Sequence, residues 1–132
     1  MKHTLRILWI IGLCGITLIG RAQTTNVRGF YLPGADTWIG NTTTENQILS
    51  YASGNAYNYI AFYSLGSFAW SNSTKKNQLA DFIRRAKTTY GITQVGATGE
   101  SYSFFRDYII PYNNSRSSAS EKFDILNYEF EW

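Results

Sequence analysis

The densest chemistry in the 132-residue sequence lies in FDILNYEFEW, residues 123–132. Side chains alternate along a strand, so Asn127, Glu129 and Glu131 share one side while Leu126, Tyr128 and Phe130 share the other. Same-face neighbours stand about 7 Å apart. At an effective dielectric of about 20, two carboxylates at that spacing repel by about 2.4 kcal/mol, enough to make Glu129 and Glu131 share a proton. A carboxylic acid kept protonated beside a carboxylate is a pairing that breaks glycosidic bonds: one group protonates the leaving oxygen and the other stabilises charge. A half-exposed strand with its polar side in water would carry the same alternation. Glu100 adds a carboxylate after a third strand, where a helix N-terminus favours Glu for its dipole alone.

Positioning these groups requires strands at regular intervals. VRGFYL (27–32) is rich in β-formers and is closed by Pro33 and Gly34. TTTEN (42–46) opens a helix with Thr42 or Thr43 as cap, and Ile48, Leu49, Tyr51 and Ala52 give it an apolar side that ends at Asn55. YNYIAFYSL (57–65) is a continuous apolar run, as expected of a parallel strand covered on both faces. Ser73 or Thr74 caps a second helix, in which Leu79, Phe82, Ile83, Ala86 and Tyr90 line one side before Gly91. ITQVGA (92–97) is a third strand. Tyr102, Phe105 and Ile109 stripe a third helix that Pro111 is expected to end.

Strands therefore start near 27, 57, 92 and 123, the rhythm of a βαβαβαβ chain with a parallel sheet. Two α/β architectures use it, a doubly wound sheet and a (β/α)8 TIM barrel. LPGADTWIG, after the first strand, carries neither G-x-G-x-x-G nor a Walker sequence. That favours the barrel, of which residues 23–132 would form the first four βα units, cut after the fourth strand. The C-terminal strand ends of a barrel form its reactive face, so Glu131 would stand there.

Residues 1–22 have the layout of an export signal: Lys2, His3 and Arg6, an apolar run from Ile7 to Gly20, and small residues flanking Arg21. The run falls short of the roughly 20 residues that span a bilayer. An exported protein, secreted, periplasmic or at the cell surface, with no integral membrane segment after cleavage is expected. The precursor has 12 Lys and Arg against 9 Asp and Glu. Losing Lys2, Arg6 and Arg21 with the leader brings the mature charge near zero, which argues against a nucleic-acid partner. The single His, Cys and Met, at positions 3, 14 and 1, leave with it. Serine and cysteine triads, zinc sites and haem ligation are thereby excluded within this chain, and carboxylates, Tyr, Lys and Arg remain. No metal or organic cofactor is implied.

The run from Asp124 to Glu131, DILNYEFE, resembles the fourth-strand signature D-x-x-D-x-D-x-E of family 18 glycoside hydrolases, the chitinases and endo-β-N-acetylglucosaminidases. Asp124 and Glu131 match its first and last positions, while Asn127 and Glu129 stand where the family has Asp. The resemblance implies a TIM barrel and glycans containing N-acetylglucosamine as substrate. It also implies Glu131 as general acid, and Glu129 as the group orienting the substrate's 2-acetamido carbonyl, with Asn127 supporting it. Trp38, Trp70 and Trp132 each follow a predicted strand, and clustered at one end of a barrel they would stack on sugar rings. Packing under loops is the plainer account of each indole. Four strands make half a barrel, so the expectation is a chain inactive until a second half or second chain completes it. The alternative is a non-catalytic exported glycan-binding or adhesion module.

Overall fold

The computed structural model describes residues 26–129. The segment expected to be an export signal, Glu131 and Trp132 lie outside the described residues. Four strands are formed: β1 (Gly29–Leu32), β2 (Tyr59–Phe62), β3 (Gln94–Gly99) and β4 (Ile125–Tyr128). All pairings are parallel, and the spatial order is β1-β2-β3-β4. The protein is thus a mixed α/β fold on a four-stranded parallel sheet. Each strand begins two residues after its sequence-predicted start.

Between the strands lie a short helix α1 (Ala35–Trp38), α2 (Thr42–Gly54), α3 (Ser73–Thr89), and a helical stretch over 102–114. That stretch is built from α4 (Tyr102–Phe104), a π turn (Phe105–Ile109) and α5 (Ile110–Asn114). The caps fall one residue earlier than the hydroxyl residues suggested. Asn41 accepts from the Thr44 amide at 3.2 Å, and Asn72 from the Lys75 amide at 3.1 Å; an Asn side chain satisfies an orphan amide of the first turn as well as Ser or Thr does. Pro111 does not end the third helix, which runs on to Asn114. Proline lacks a donor and its ring crowds the carbonyl four residues back, and the π turn just before it widens the spiral where that conflict falls.

Because neighbouring strands follow in chain order, every crossover steps the same way across the sheet, and right-handed crossovers then place their helices on one side. The burial pattern agrees. Leu32, Ile60, Phe62, Val95 and Ala97 enter one core with Leu49, Leu79, Phe82, Ile83, Phe105 and Ile109 from the helices. Strand alternation turns Tyr31, Tyr59, Ala61, Gly96, Thr98, Ile125 and Asn127 to the opposite side. The second cover expected for β2 comes from the sheet's own side chains. The Tyr59 ring lies across the bare backbones of Gly29 and Gly96, where a Cβ would stand 2.5 Å and 2.3 Å from its nearest atom.

Three basic residues of α3 bind other elements. Lys75 donates to the Ile39 carbonyl at 2.5 Å. Arg85 pairs with the buried Glu45 of α2, which also accepts from the Gly40 amide at 2.7 Å. Lys87 donates to the carbonyl of Lys122 and to Asp124. No helix among the described residues is long and apolar enough to cross a membrane.

Candidate functional site

Asp124 begins the β4 site by fixing the strand itself. Its carboxylate accepts from the Val95 amide at 2.8 Å while its own amide donates to the Val95 carbonyl at 2.7 Å. Lys87, whose side chain is 10% exposed, completes the anchor with an ion pair at 2.8 Å. The register then sets Ile125 beside Gly96, Leu126 beside Ala97 and Asn127 beside Thr98. Pairing continues past the strand, since the Glu129 amide donates to the Gly99 carbonyl at 3.1 Å. Asn127 and Glu129 consequently face the side of the sheet away from the helices.

On that side Glu129 meets Tyr31, which belongs to β1 at the other edge of the sheet. The Glu129 carboxylate stands close enough to the Tyr31 phenol to raise its pKa, and the two line one pocket. In a flat sheet these edges would lie about 14 Å apart, three strand spacings, with side chains standing perpendicular to it. The contact therefore requires the sheet to curl, with the helix-free side concave. Tyr63, just past β2, sits between them, its ring 6.3 Å from that of Tyr31 at 85°. Tyr31, Tyr63 and Glu129 together line a pocket of about 290 Å³.

The electrostatics follow from this placement. Tyr31 titrates above its ordinary value, first because it donates to Glu129, then because the carboxylate's charge opposes a phenolate, and least through burial. Tyr59 is also pushed up, chiefly by burial and secondly by Tyr31. Both phenols accordingly remain hydrogen-bond donors through the neutral range. Beside the pocket, at the C-terminal ends of β2 and β3, a cleft of about 380 Å³ is lined by Tyr63, Thr98, Glu100 and Ser101 among others.

The protein was compared with known families, characterised proteins and solved structures. None matches. Its function is therefore read from the helix-free side, to which Tyr31, Thr98, Asn127 and Glu129 turn.

Two residues expected at the site lie elsewhere. Trp38 stacks on Phe62 at 5.9 Å and 26°, approaches Phe82 at 5.1 Å, and donates its indole N–H to the Pro33 carbonyl at 2.9 Å. Phe62 points into the helix-side core, so Trp38 is across the sheet from Glu129. Trp70 donates to the Leu65 carbonyl at 2.9 Å and stacks on Tyr108, next to Tyr112, against the 102–114 helical stretch. Each indole follows a strand, as the sequence indicates, but an apolar body with one donor is best satisfied where a loop carbonyl borders the core. Among the described residues, Tyr31 and Tyr63 are the aromatic rings that line the pocket with Glu129. Tyr31 was legible in principle, being the residue of VRGFYL that alternates away from Phe30 and Leu32.

Proposed function

We propose that the chain contributes the first four βα units of an exported (β/α)8 barrel of the family 18 glycoside hydrolase type, acting on N-acetylglucosamine-containing glycans such as chitin or N-glycans. The observation that carries this reading is the singly wound, curled sheet whose helix-free side holds Asn127 and Glu129 in line. Doubly wound domains reverse their strand order and cover both faces with helices. A barrel keeps chain order and turns its bare side inward, with the reaction at the C-terminal strand ends.

In this reading Glu129 holds the 2-acetamido group so that its carbonyl oxygen attacks C1 as the C1–O bond breaks, and Glu131 gives its proton to the departing oxygen. Water then attacks C1 as the bond from the acetamido oxygen breaks, its proton passing to Glu131. The nearness of Tyr31 supports the role given to Glu129, because a neutral phenol beside the carboxylate is placed to hold its direction. Asn127 would add a second, uncharged neighbour. The steps call for no metal and no organic cofactor.

The neutral Asn127 specifically favours a second reading, glycan binding without turnover, since it removes a charge that would help the central carboxylate handle a proton. The deciding experiment is hydrolysis of a fluorogenic chitobioside and of a high-mannose N-glycoprotein by the longest natural form of the chain, beside Glu131→Gln. The proposal expects turnover that falls by at least about a thousandfold in the variant. A folded, complete barrel that turns over neither substrate would leave the binding module.

A further inference from the structure

We infer that the cleft at the C-terminal ends of β2 and β3 is a second sugar subsite, contiguous with the pocket at Glu129, and that Thr98 reads a polar group of the neighbouring sugar there. This rests on the glycan reading given above. Thr98 is 2% exposed, and its hydroxyl has no hydrogen-bond partner. Buried hydroxyls in folded proteins are nearly always partnered by protein or by water. An orphan on the wall of a cleft therefore marks a place where a ligand group or a bound water completes the set.

The walls indicate which ligand. Tyr63, Ser67, Thr98, Glu100, Ser101 and Phe104 surround about 380 Å³, at the small-ligand end of the range of binding sites. Hydroxyls alternate with two aromatic rings and a single exposed carboxylate, a lining matched to a neutral, hydroxyl-rich molecule with apolar faces. Position supplies the continuity. Tyr63 lines both this cleft and the pocket with Tyr31 and Glu129. The β3–β4 register, with Gly99 beside Tyr128, brings Glu100 level with Glu129. A glycan seated at Glu129 can thus extend past Tyr63 toward Thr98.

Calorimetric titration of the full chain with N,N′-diacetylchitobiose and with the corresponding tetrasaccharide tests this, using Thr98→Val and Glu100→Gln. Thr98→Val replaces an unpartnered hydroxyl by a methyl of the same shape, so its thermal midpoint should equal or exceed that of the parent. It should bind the tetrasaccharide roughly three- to tenfold more weakly while leaving the disaccharide unchanged. Glu100→Gln, at an exposed position that does not threaten folding, should show the same selectivity for the longer ligand. If the disaccharide and tetrasaccharide bind equally and neither variant separates them, the inference falls while the glycan reading stands. A lower thermal midpoint in Thr98→Val with undiminished tetrasaccharide binding would assign the hydroxyl to a structural water. If neither saccharide binds the folded, longest natural form of the chain, the glycan reading itself is lost.

Discussion

The Tyr31–Glu129 pair carries most of the site's character, because it joins the first strand to the last and holds a phenol next to a carboxylate. The carboxylate raises the Tyr31 pKa, so its removal must lower it. In Glu129→Gln, the ionisation of Tyr31 should move down toward its ordinary 10.0, followed by NMR of the phenol carbon as pH is raised. An unmoved titration would break the contact and with it the argument for a curled sheet. At this scale the sequence was a partial guide. It placed Asn127 and Glu129 on one face through simple alternation, and Glu131, to which the proposal gives the proton transfer, lies outside the described residues. It misdirected the search for sugar-stacking rings to Trp38 and Trp70, because residue type and loop position are the same for an indole that packs and one that binds. Thr98 left no local mark at all; a buried hydroxyl is orphaned only when its neighbours are known.

Among the elements, β4 depends most on a few polar ties. Its side chains are half-buried or exposed, with Leu126 47% exposed, whereas Ile60, Ala61 and Phe62 of β2 are essentially buried. Little apolar area holds it. Asp124 and Lys87 compensate, the lysine bridging α3 to the carbonyls of Ala119 and Lys122 and to the Asp124 carboxylate. Lys87→Met should cost about 1 kcal/mol in urea unfolding, since it removes the partner of a carboxylate that is 34% exposed and of two backbone acceptors. Hydrogen exchange should quicken selectively at the β4 amides, with those of β1 and β2 changing only as global stability does. Uniform acceleration would show that β4 is not held separately. The elements themselves were the most legible part of the sequence, as the apolar period of α3 and the run in β2 show, because these patterns are written locally. The continuation of the third helix beyond Pro111 was not, since a π turn answers a steric conflict that a one-residue rule treats as a stop.

For the whole molecule, the core is rich in rings, and its phenols give stability a pH dependence on the alkaline side. Tyr112 is 2% exposed, and burial pushes its phenol well above the ordinary 10.0, with nearby Arg116 opposing the shift and Glu121 adding to it. A phenol that ionises later in the folded than in the unfolded chain stabilises fully below pH 10.0, and that contribution is lost as pH climbs above it. The thermal midpoint should therefore fall steeply above about pH 10. Tyr112→Phe loses the 2.8 Å hydrogen bond to the Glu121 carbonyl, costing about 1 kcal/mol at neutral pH. Its alkaline decline should nevertheless be shallower; an equal slope in both proteins would remove Tyr112 from the account. From the sequence by itself came the βα rhythm, the α/β class and the face shared by Asn127 and Glu129, all consequences of local period and alternation. Tertiary structure decided which side of the sheet stays bare, that β1 curls toward β4 until Tyr31 reaches Glu129, and that Trp38 and Trp70 pack against the core. Those outcomes depend on strand order and on contacts between residues about a hundred positions apart, and no local pattern encodes such contacts.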